Sequence, residues 1–172
     1  MKAYLAEIES PMGPIDFAVN EEGALLGLRF REGRHPGTLQ KRLEHEGFAP
    51  SRNEGRMSAL HEQLVEYFAG ERRSFDLEVA RKGSEFEEAV WEEVSRIPFG
   101  ETRTYGQVAE AVGGMGNAVE VGKACAANPV LLVVPCHRVV GADGSLKGYA
   151  AGLPVKARLL DFEEDTQESL FA

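Results

Sequence analysis

The clearest chemical signal in the sequence is an adjacent pair, Cys136 and His137, directly after Pro135 and the apolar run Val130 to Val134. Proline fixes its own φ and restricts the residue before it, so Val134-Pro135 forms a stiff approach to the thiol. A thiol presented at the edge of a packed segment is what a positioned nucleophile requires. A free thiol has a pKa of about 8.5, so only a few per cent is thiolate at neutral pH. A neighbouring imidazole can take the proton, directly or through water. A carboxylate behind that imidazole would fix its tautomer and stabilise its charged form. Glu163, on the last predicted helix, is a candidate for this third role. The plain alternative is that Cys136 is an inert buried hydrophobe and His137 a satisfied core residue.

The other reactive side chains carry less. Cys125 lies inside a predicted helix with no adjacent base and reads as packing. Cys125, Cys136 and His137 lack the short paired spacing of zinc ligands. His35, His45 and His61 sit in charged stretches and read as solvated. No glycine-rich phosphate loop is present.

The elements that must position these residues fall into two groups. KAYLAEIES, GPIDFAVN and GALLGLRF are short apolar-rich segments punctuated by Pro11, Gly13, Pro14, Asn20 and Gly23, which predicts strands, with a hairpin at residues 21–23. A polar helix is expected over Pro36 to Glu46. Met57, Leu60, Leu64 and Phe68 at helical spacing predict another over 57–69. SFDLEVA at 74–80 alternates and predicts a strand. A second module begins near Ser84, which with Glu87 fits a capping box. Phe86, Val90 and Val94 mark that helix's apolar face, with Trp91 beside them. Thr104 with Gln107 fits a second capping box. Asn117 can cap a third helix running to about Ala127. Two short helices joined by the Gly-rich turn at 113–116 fit a helix-turn-helix, although from spacing alone an ordinary helical hairpin is the commoner outcome. The run 130–134 is expected to be buried, as strand or extended segment. A last helix starts near Pro154, with Val155, Leu159, Leu160 and Phe162 inward.

Composition bounds the partners. The chain has 172 residues and a formal charge of −9, with 43% hydrophobic and 27% charged residues, which is ordinary globular composition. An acidic chain binds nucleic acid poorly by charge alone, so any such role must rest on a local site. Two cysteines are too few for a disulfide scaffold. The N-terminal residues lack a long apolar core of the signal-peptide kind, and no apolar run approaches a membrane span. A cytoplasmic monomer is expected. The last nine residues, with three acidic and no basic side chains, are expected to fray.

PCHRV at 135–139 resembles the active-site motif of the O6-alkylguanine-DNA alkyltransferases (methylated-DNA–protein-cysteine methyltransferases). The resemblance extends over FEEAVWEEVSRIPFGETRTYGQVAEAVG at 86–113 and ANPVLLVVPCHRVVGADGSLKGYAAGLPVKARLLDFE at 127–163. The segment ESPMGPIDFAVNEEGALLGLRF is similar to the family's smaller domain. It implies an α+β protein: a ribonuclease-H-like α/β domain with an antiparallel sheet over 1–83, a mainly helical domain with a helix-turn-helix over 84–163, and an acidic tail at 164–172. It implies a repair protein that flips an alkylated guanine out of duplex DNA and moves the alkyl group from O6 to Cys136, once per molecule, with O4 of thymine as a possible second lesion. His137 is then the base, through a water, and Glu163 orients it. Tyr105 assists nucleotide rotation and donates toward the departing guanine oxygen. Asn128 joins the recognition helix to the active-site segment. Backbone groups of Cys136 and Val139 read the guanine edge. Arg138 and Tyr149 are further substrate or DNA positions, and Ala118, Glu120 and Lys123 lie on the DNA-facing helix. No cofactor is implied, and no metal.

One departure stands out. The family's recognition helix carries an arginine that fills the gap left by the flipped base, and ungapped counting from Tyr105 to Asn128 places Val119 there. An apolar side chain can also wedge into a base step, but weaker duplex binding or flipping is expected. Two other functions remain at this point: a lesion-binding relative that marks alkylated DNA without transfer, and a thiol enzyme acting on small molecules.

Overall fold

The computed structural model describes residues 1–33, 37–53, 55, 58–80 and 82–169. It divides into two compact units, Met1–Arg81 with Pro129–Leu131, and Lys82–Asn128 with Leu132–Ala172.

In the first unit, β1 (Lys2–Ile8), β2 (Ile15–Asn20) and β3 (Leu25–Phe30) form the expected antiparallel meander. A fourth strand, β4 (Ala49–Arg52), pairs parallel to β1, so the sheet order is β3-β2-β1-β4 and the sheet is mixed. The hairpin predicted at 21–23 closes on Asn20, whose Oδ1 accepts from the backbone N–H of Glu22 and Ala24 at 3.0 and 2.9 Å. Helix α1 (Leu39–His45) is capped by Thr38 and buries Leu39 and Leu43 against Ala3, Ala18 and Leu26. It is shorter than the expected 36–46 helix, and Pro36 and His35 lie outside the described residues. Helix α2 (Ser58–Phe68) buries Leu60, Leu64 and Tyr67. Met57 also lies outside the described residues.

The strand expected at 74–80 reduces to one parallel bridge, Leu25 with Val79. Its bonds are Leu25 N–H to Glu78 O and Ala80 N–H to Leu25 O. The alternation is real, but the segment finds a partner at one residue, and a ladder needs several. The run 130–134 behaves likewise. Val130 bridges Leu28, and the chain then turns through Leu132, which takes φ +69°. That left-handed conformation is uncommon for a branched apolar residue; here it lies within the turn before Val134-Pro135.

The second unit holds α3 (Glu85–Val94), the two-residue β5 (Arg103–Thr104), α4 (Tyr105–Ala111), α5 (Ala118–Ala126), a single 3₁₀ turn (Cys136–Arg138), the two-residue β6 (Val139–Val140) and α6 (Leu153–Ser169). Ser84/Glu87, Thr104/Gln107 and Asn117/Glu120 all form capping boxes. Each satisfies helix-terminal N–H groups that would otherwise lack partners. Between α4 and α5, Gly113 and Gly114 both take positive φ, which glycine adopts without steric cost. A Cβ on Gly116 would lie 2.7 Å from the Phe86 ring, so the helix-turn-helix turn packs as tightly as glycine permits. Trp91 Nε1 donates to Ala124 O at 2.8 Å and ties α3 to α5.

Residues 164–169 of the acidic tail, expected to fray, are helical, and residues 170–172 lie outside the described residues. Helix α6 continues through Ser169, and the Gln167 side chain lies about where a Cβ on Gly100 would meet it, at 3.3 Å. Packing of Thr166 and Gln167, both half-buried, supplies the face that composition alone did not show.

Candidate active site

Two short pairings bring the site together. Strands β5 and β6 are parallel, with Arg103 opposite Val139 and Thr104 opposite Val140. Thr104 is also the N-cap of α4, so β5 delivers Tyr105 beside the segment that carries Cys136. The Cys136 N–H donates to Val134 O at 2.8 Å and the Arg138 N–H to Pro135 O at 2.9 Å, which winds the chain into one 3₁₀ turn. Asn128 holds this turn from the end of α5. Its Nδ2 donates to Val134 O at 2.9 Å and lies 3.4 Å from Cys136 Sγ.

Behind the thiol is a buried charged cluster. His137 Nε2 is 2.7 Å from Glu163 Oε2. Arg138 Nε donates to Glu163 Oε1 at 2.8 Å and Nη2 to Oε2 at 2.9 Å, and the Gly100 N–H reaches Oε1 at 3.3 Å. Burial alone would raise the Glu163 carboxyl. The bonds and charges of His137 and Arg138 outweigh it and hold the carboxylate well below its ordinary range. Burial lowers His137, with Glu163 opposing, so the imidazole rests neutral. A charged carboxylate against Nε2 requires the proton there, which leaves the Nδ1 lone pair unprotonated and able to act as a base. Among the described residues, the buried His137 Nδ1 has no hydrogen-bond partner.

Arg138 requires a correction. The resemblance gave it to substrate or DNA, but it is buried. Its guanidinium is used on Glu163 and on Ile97 O, 2.8 Å from Nη1. A buried carboxylate is costly unless paired, and a bidentate guanidinium is the strongest available partner.

Lys156 is the residue that sequence reasoning missed. It is fully buried on α6, and its ammonium donates to Val139 O at 2.6 Å, Tyr105 Oη at 3.2 Å and Gly148 O at 3.3 Å. Three N–H groups meet three acceptors. Burial pulls Lys156 down to about 8, with the two cysteines opposing, and pushes the Tyr105 phenol up to about 12. Tyr105 therefore keeps its proton and donates weakly to Gly148 O at 3.4 Å. The signal was legible: Lys156, Leu159 and Glu163 fall at i, i+3 and i+7, one face of a helix.

Cys136 itself rests as a thiol. The Cys125 side chain and burial push it well above the ordinary cysteine range, while Asn128 and Lys156 pull the other way. Cys125 is buried on α5, as a packing residue would be.

The remaining positions divide. Ala118, Val119, Glu120 and Lys123 are exposed along α5, Val119 at 69%. Glu120 also bonds the Asn117 N–H, so it serves as a helix cap. Gly122 sits where a Cβ would be 3.8 Å from the Tyr105 ring, bringing α5 close to the site. Tyr149 has its ring centroid 6.4 Å from that of His137, with a buried hydroxyl that has no hydrogen-bond partner among the described residues. Val139 is buried; its carbonyl receives Lys156, and its N–H donates to Cys136 O.

Family comparisons decide what this constellation belongs to. Residues 85–165 match the model of the 6-O-methylguanine DNA methyltransferase DNA binding domain, and residues 3–80 that of its ribonuclease-like domain. This chain is a member of the O6-methylguanine DNA methyltransferase family. The methylated-DNA–protein-cysteine methyltransferase of Methanosarcina acetivorans is 44% identical over 163 residues, covering 93% of this chain and 97% of that one. The protein of the same name from Mycolicibacterium paratuberculosis is 45% identical over 143 residues, covering 80% and 87%. Among solved structures, Mycobacterium tuberculosis OGT in complex with DNA superposes with a TM-score of 0.83 at 37% identity, covering 95% and 94%. The family's two domains are thus both present, and Cys136, His137 and Glu163 all lie in the DNA-binding one. Among the described residues, no helix is long and apolar enough to cross a membrane.

Proposed function

We propose that this protein repairs alkylated duplex DNA by moving the alkyl group from O6 of guanine to Cys136, one group per molecule. The supporting observation is the buried pair of His137 Nε2 and Glu163 Oε2, 2.7 Å apart and next in sequence to the buried Cys136, with His137 Nδ1 left without a hydrogen-bond partner among the described residues. His137 takes the thiol proton through a bridging water, and Glu163 stabilises the imidazolium that results. The thiolate attacks the alkyl carbon in line; a C–S bond forms as the C–O bond breaks. Tyr105, kept protonated and aligned by Lys156, passes its proton to the departing guanine, which leaves neutral, and the Lys156 ammonium returns a proton to the phenolate. The thioether has no route back, so the protein is spent. Asn128 steadies the turn that carries the sulfur, and Tyr149 and the Val139 backbone line the guanine's place. The relatives named for methyl transfer support this reading over lesion marking. The protein acts as a monomer, in the cytoplasm.

Duplex DNA carrying a labelled methyl on O6 of guanine tests it. Label transferred to protein should saturate at one per chain, and Cys136→Ala should bind the lesion and take none. Label accepted by Cys136→Ala would refute the assignment.

Val119, exposed on α5, stands in for the intercalating arginine as a small apolar wedge. It fills less of the gap in the stack and neutralises no phosphate. Val119→Arg should therefore tighten duplex binding and raise the transfer rate; a variant with neither gain would remove Val119 from the flipping step.

A further inference from the structure

Of the exposed side chains on α5, Lys123 alone is cationic, and Glu120 precedes it by one turn. The chain as a whole carries a formal charge of −9. Affinity for phosphates comes from cations placed locally, so a DNA-binding chain of this charge calls for a further group of them. The first unit holds one, on the face of the sheet against which α1 packs. A Cβ on Gly27 would lie 2.8 Å from Leu39 Cδ1 and 3.2 Å from both Nη atoms of Arg42, so the Arg42 guanidinium rests against β3 where no side chain intervenes. Arg29 is two residues further along the same strand and so on the same face. Its Nη1 donates to Gly37 O at 3.4 Å, and a Cβ on Gly37 would lie 3.8 Å from Lys41 Cδ. Arg29, Lys41 and Arg42 thus gather about two glycines. The acids beside them are already engaged. Glu46 Oε1 is 3.1 Å from Arg42 Nε, and Asp16, opposite Arg29 in the register, is bonded by Arg31. Among the described residues, no carboxylate lies within ion-pairing distance of Arg29 or Lys41.

We propose that Arg29, Lys41 and Arg42 form a phosphate-binding surface of the ribonuclease-like domain, which holds the DNA backbone without reading sequence or lesion. A guanidinium has five N–H groups. Arg42 donates from Nη2 to Leu26 O at 2.7 Å and pairs with Glu46, and Arg29 meets Gly37 O alone among the described residues, so both keep donors free. A phosphate accepts such donors in pairs, which is the strongest form of the contact. Both arginines are half-buried. Burial and the Arg42 charge lower Arg29, and burial lowers Arg42 against the pull of Glu46. Like charges held this way favour an anion between them. Lys41, exposed on α1, adds a flexible third cation. Backbone contacts position a protein on DNA and carry no sequence information. Lesion choice therefore stays with the helical unit, and this surface adds affinity for damaged and undamaged duplex alike. The partner rests on the repair reading above; the anion site itself does not.

Binding of the full chain to two fluorescent duplexes, one undamaged and one carrying O6-methylguanine, tests this across a series of salt concentrations. Lys41→Ala should weaken both duplexes by the same factor and flatten the plot of log affinity against log salt by about one unit of slope. Arg29→Gln should do the same; Lys41 is exposed, so its variant keeps the test open should Arg29→Gln fold poorly. Lys2→Ala removes an equal charge from the start of β1 and should change neither affinity nor slope. Single-turnover methyl transfer at saturating duplex should keep its wild-type rate in Lys41→Ala, while the half-saturating concentration rises. Four results would overturn the proposal: unchanged affinity and slope in the Lys41 and Arg29 variants, a loss confined to the damaged duplex, an equal loss in Lys2→Ala, or variants that lose inorganic phosphate but not duplex. A wild type that binds both duplexes yet takes no methyl would count against the repair reading alone, and the comparison of variants on undamaged duplex would still decide the surface.

Discussion

Two arginine-carboxylate clusters in this protein use the same chemistry in opposite surroundings. On the sheet, Arg31 bonds Glu7 and Asp16, with Arg52 3.5 Å from Glu7, all at or near the surface. In the helical unit, Arg138 bonds Glu163 with nearly no exposure, and His137 completes the cluster. Water already solvates the first set, so each bond there replaces a comparable one, and exposed pairs contribute little. The second set has no water to fall back on. The lone pairs of Glu163 must be met by protein, and the Gly100 N–H, His137 and Arg138 are among the groups that meet them. The difference teaches where specificity sits: the buried cluster fixes one tautomer of one imidazole, while the exposed one fixes little.

Substitutions that separate these clusters sharpen the contrast, and the largest effect belongs to the atom the buried one serves. Cys136→Ala should abolish methyl transfer while the melting midpoint stays near the wild type, checked by label uptake and calorimetry. Next is the base: His137→Gln should slow single-turnover transfer by about 10²–10⁴-fold, the usual worth of general acid–base help. Glu163→Gln leaves Arg138 buried without its counter-charge, and breaking such a pair costs about 3–5 kcal/mol, read by denaturant unfolding. This substitution also carries a pH signature. The folded carboxyl is held below its ordinary 4.5, so its contribution is full above that pH and fades as pH falls further. Wild-type stability should drop on acidification below about 4.5, and Glu163→Gln should lose that part of the slope. Smallest is Arg31→Ala on the sheet, which should leave unfolding almost unmoved. A large loss there would erase the distinction between the clusters.

Much of this arrangement was legible in the sequence, and the misses have a common cause. The capping residues Ser84, Thr104 and Asn117 act locally, so their spacing revealed them. Cys136 and His137 are adjacent, and Pro135 advertises the turn. The partnership of Glu163 with Arg138 is not local: an arginine next to a motif reads as a surface cation until burial shows otherwise. Lys156 was missed because a lysine on an amphipathic helix defaults to solvent, although its spacing with Leu159 and Glu163 marked the inward face; three distant acceptors hold it inside. Residues 74–80 failed for the reverse reason. Their alternation was correct, but strand formation depends on a neighbour, and Leu25 offers a partner to Val79 alone.

The central claim is that the alkyl group ends on one particular sulfur. Incubation with duplex DNA containing O6-methylguanine, followed by trypsin and fragmentation of the Ala124 to Arg138 peptide, addresses it. The account predicts a single added methyl on Cys136, with Cys125 unmodified. A methyl on Cys125, or a fully repaired duplex with neither sulfur altered, would contradict it.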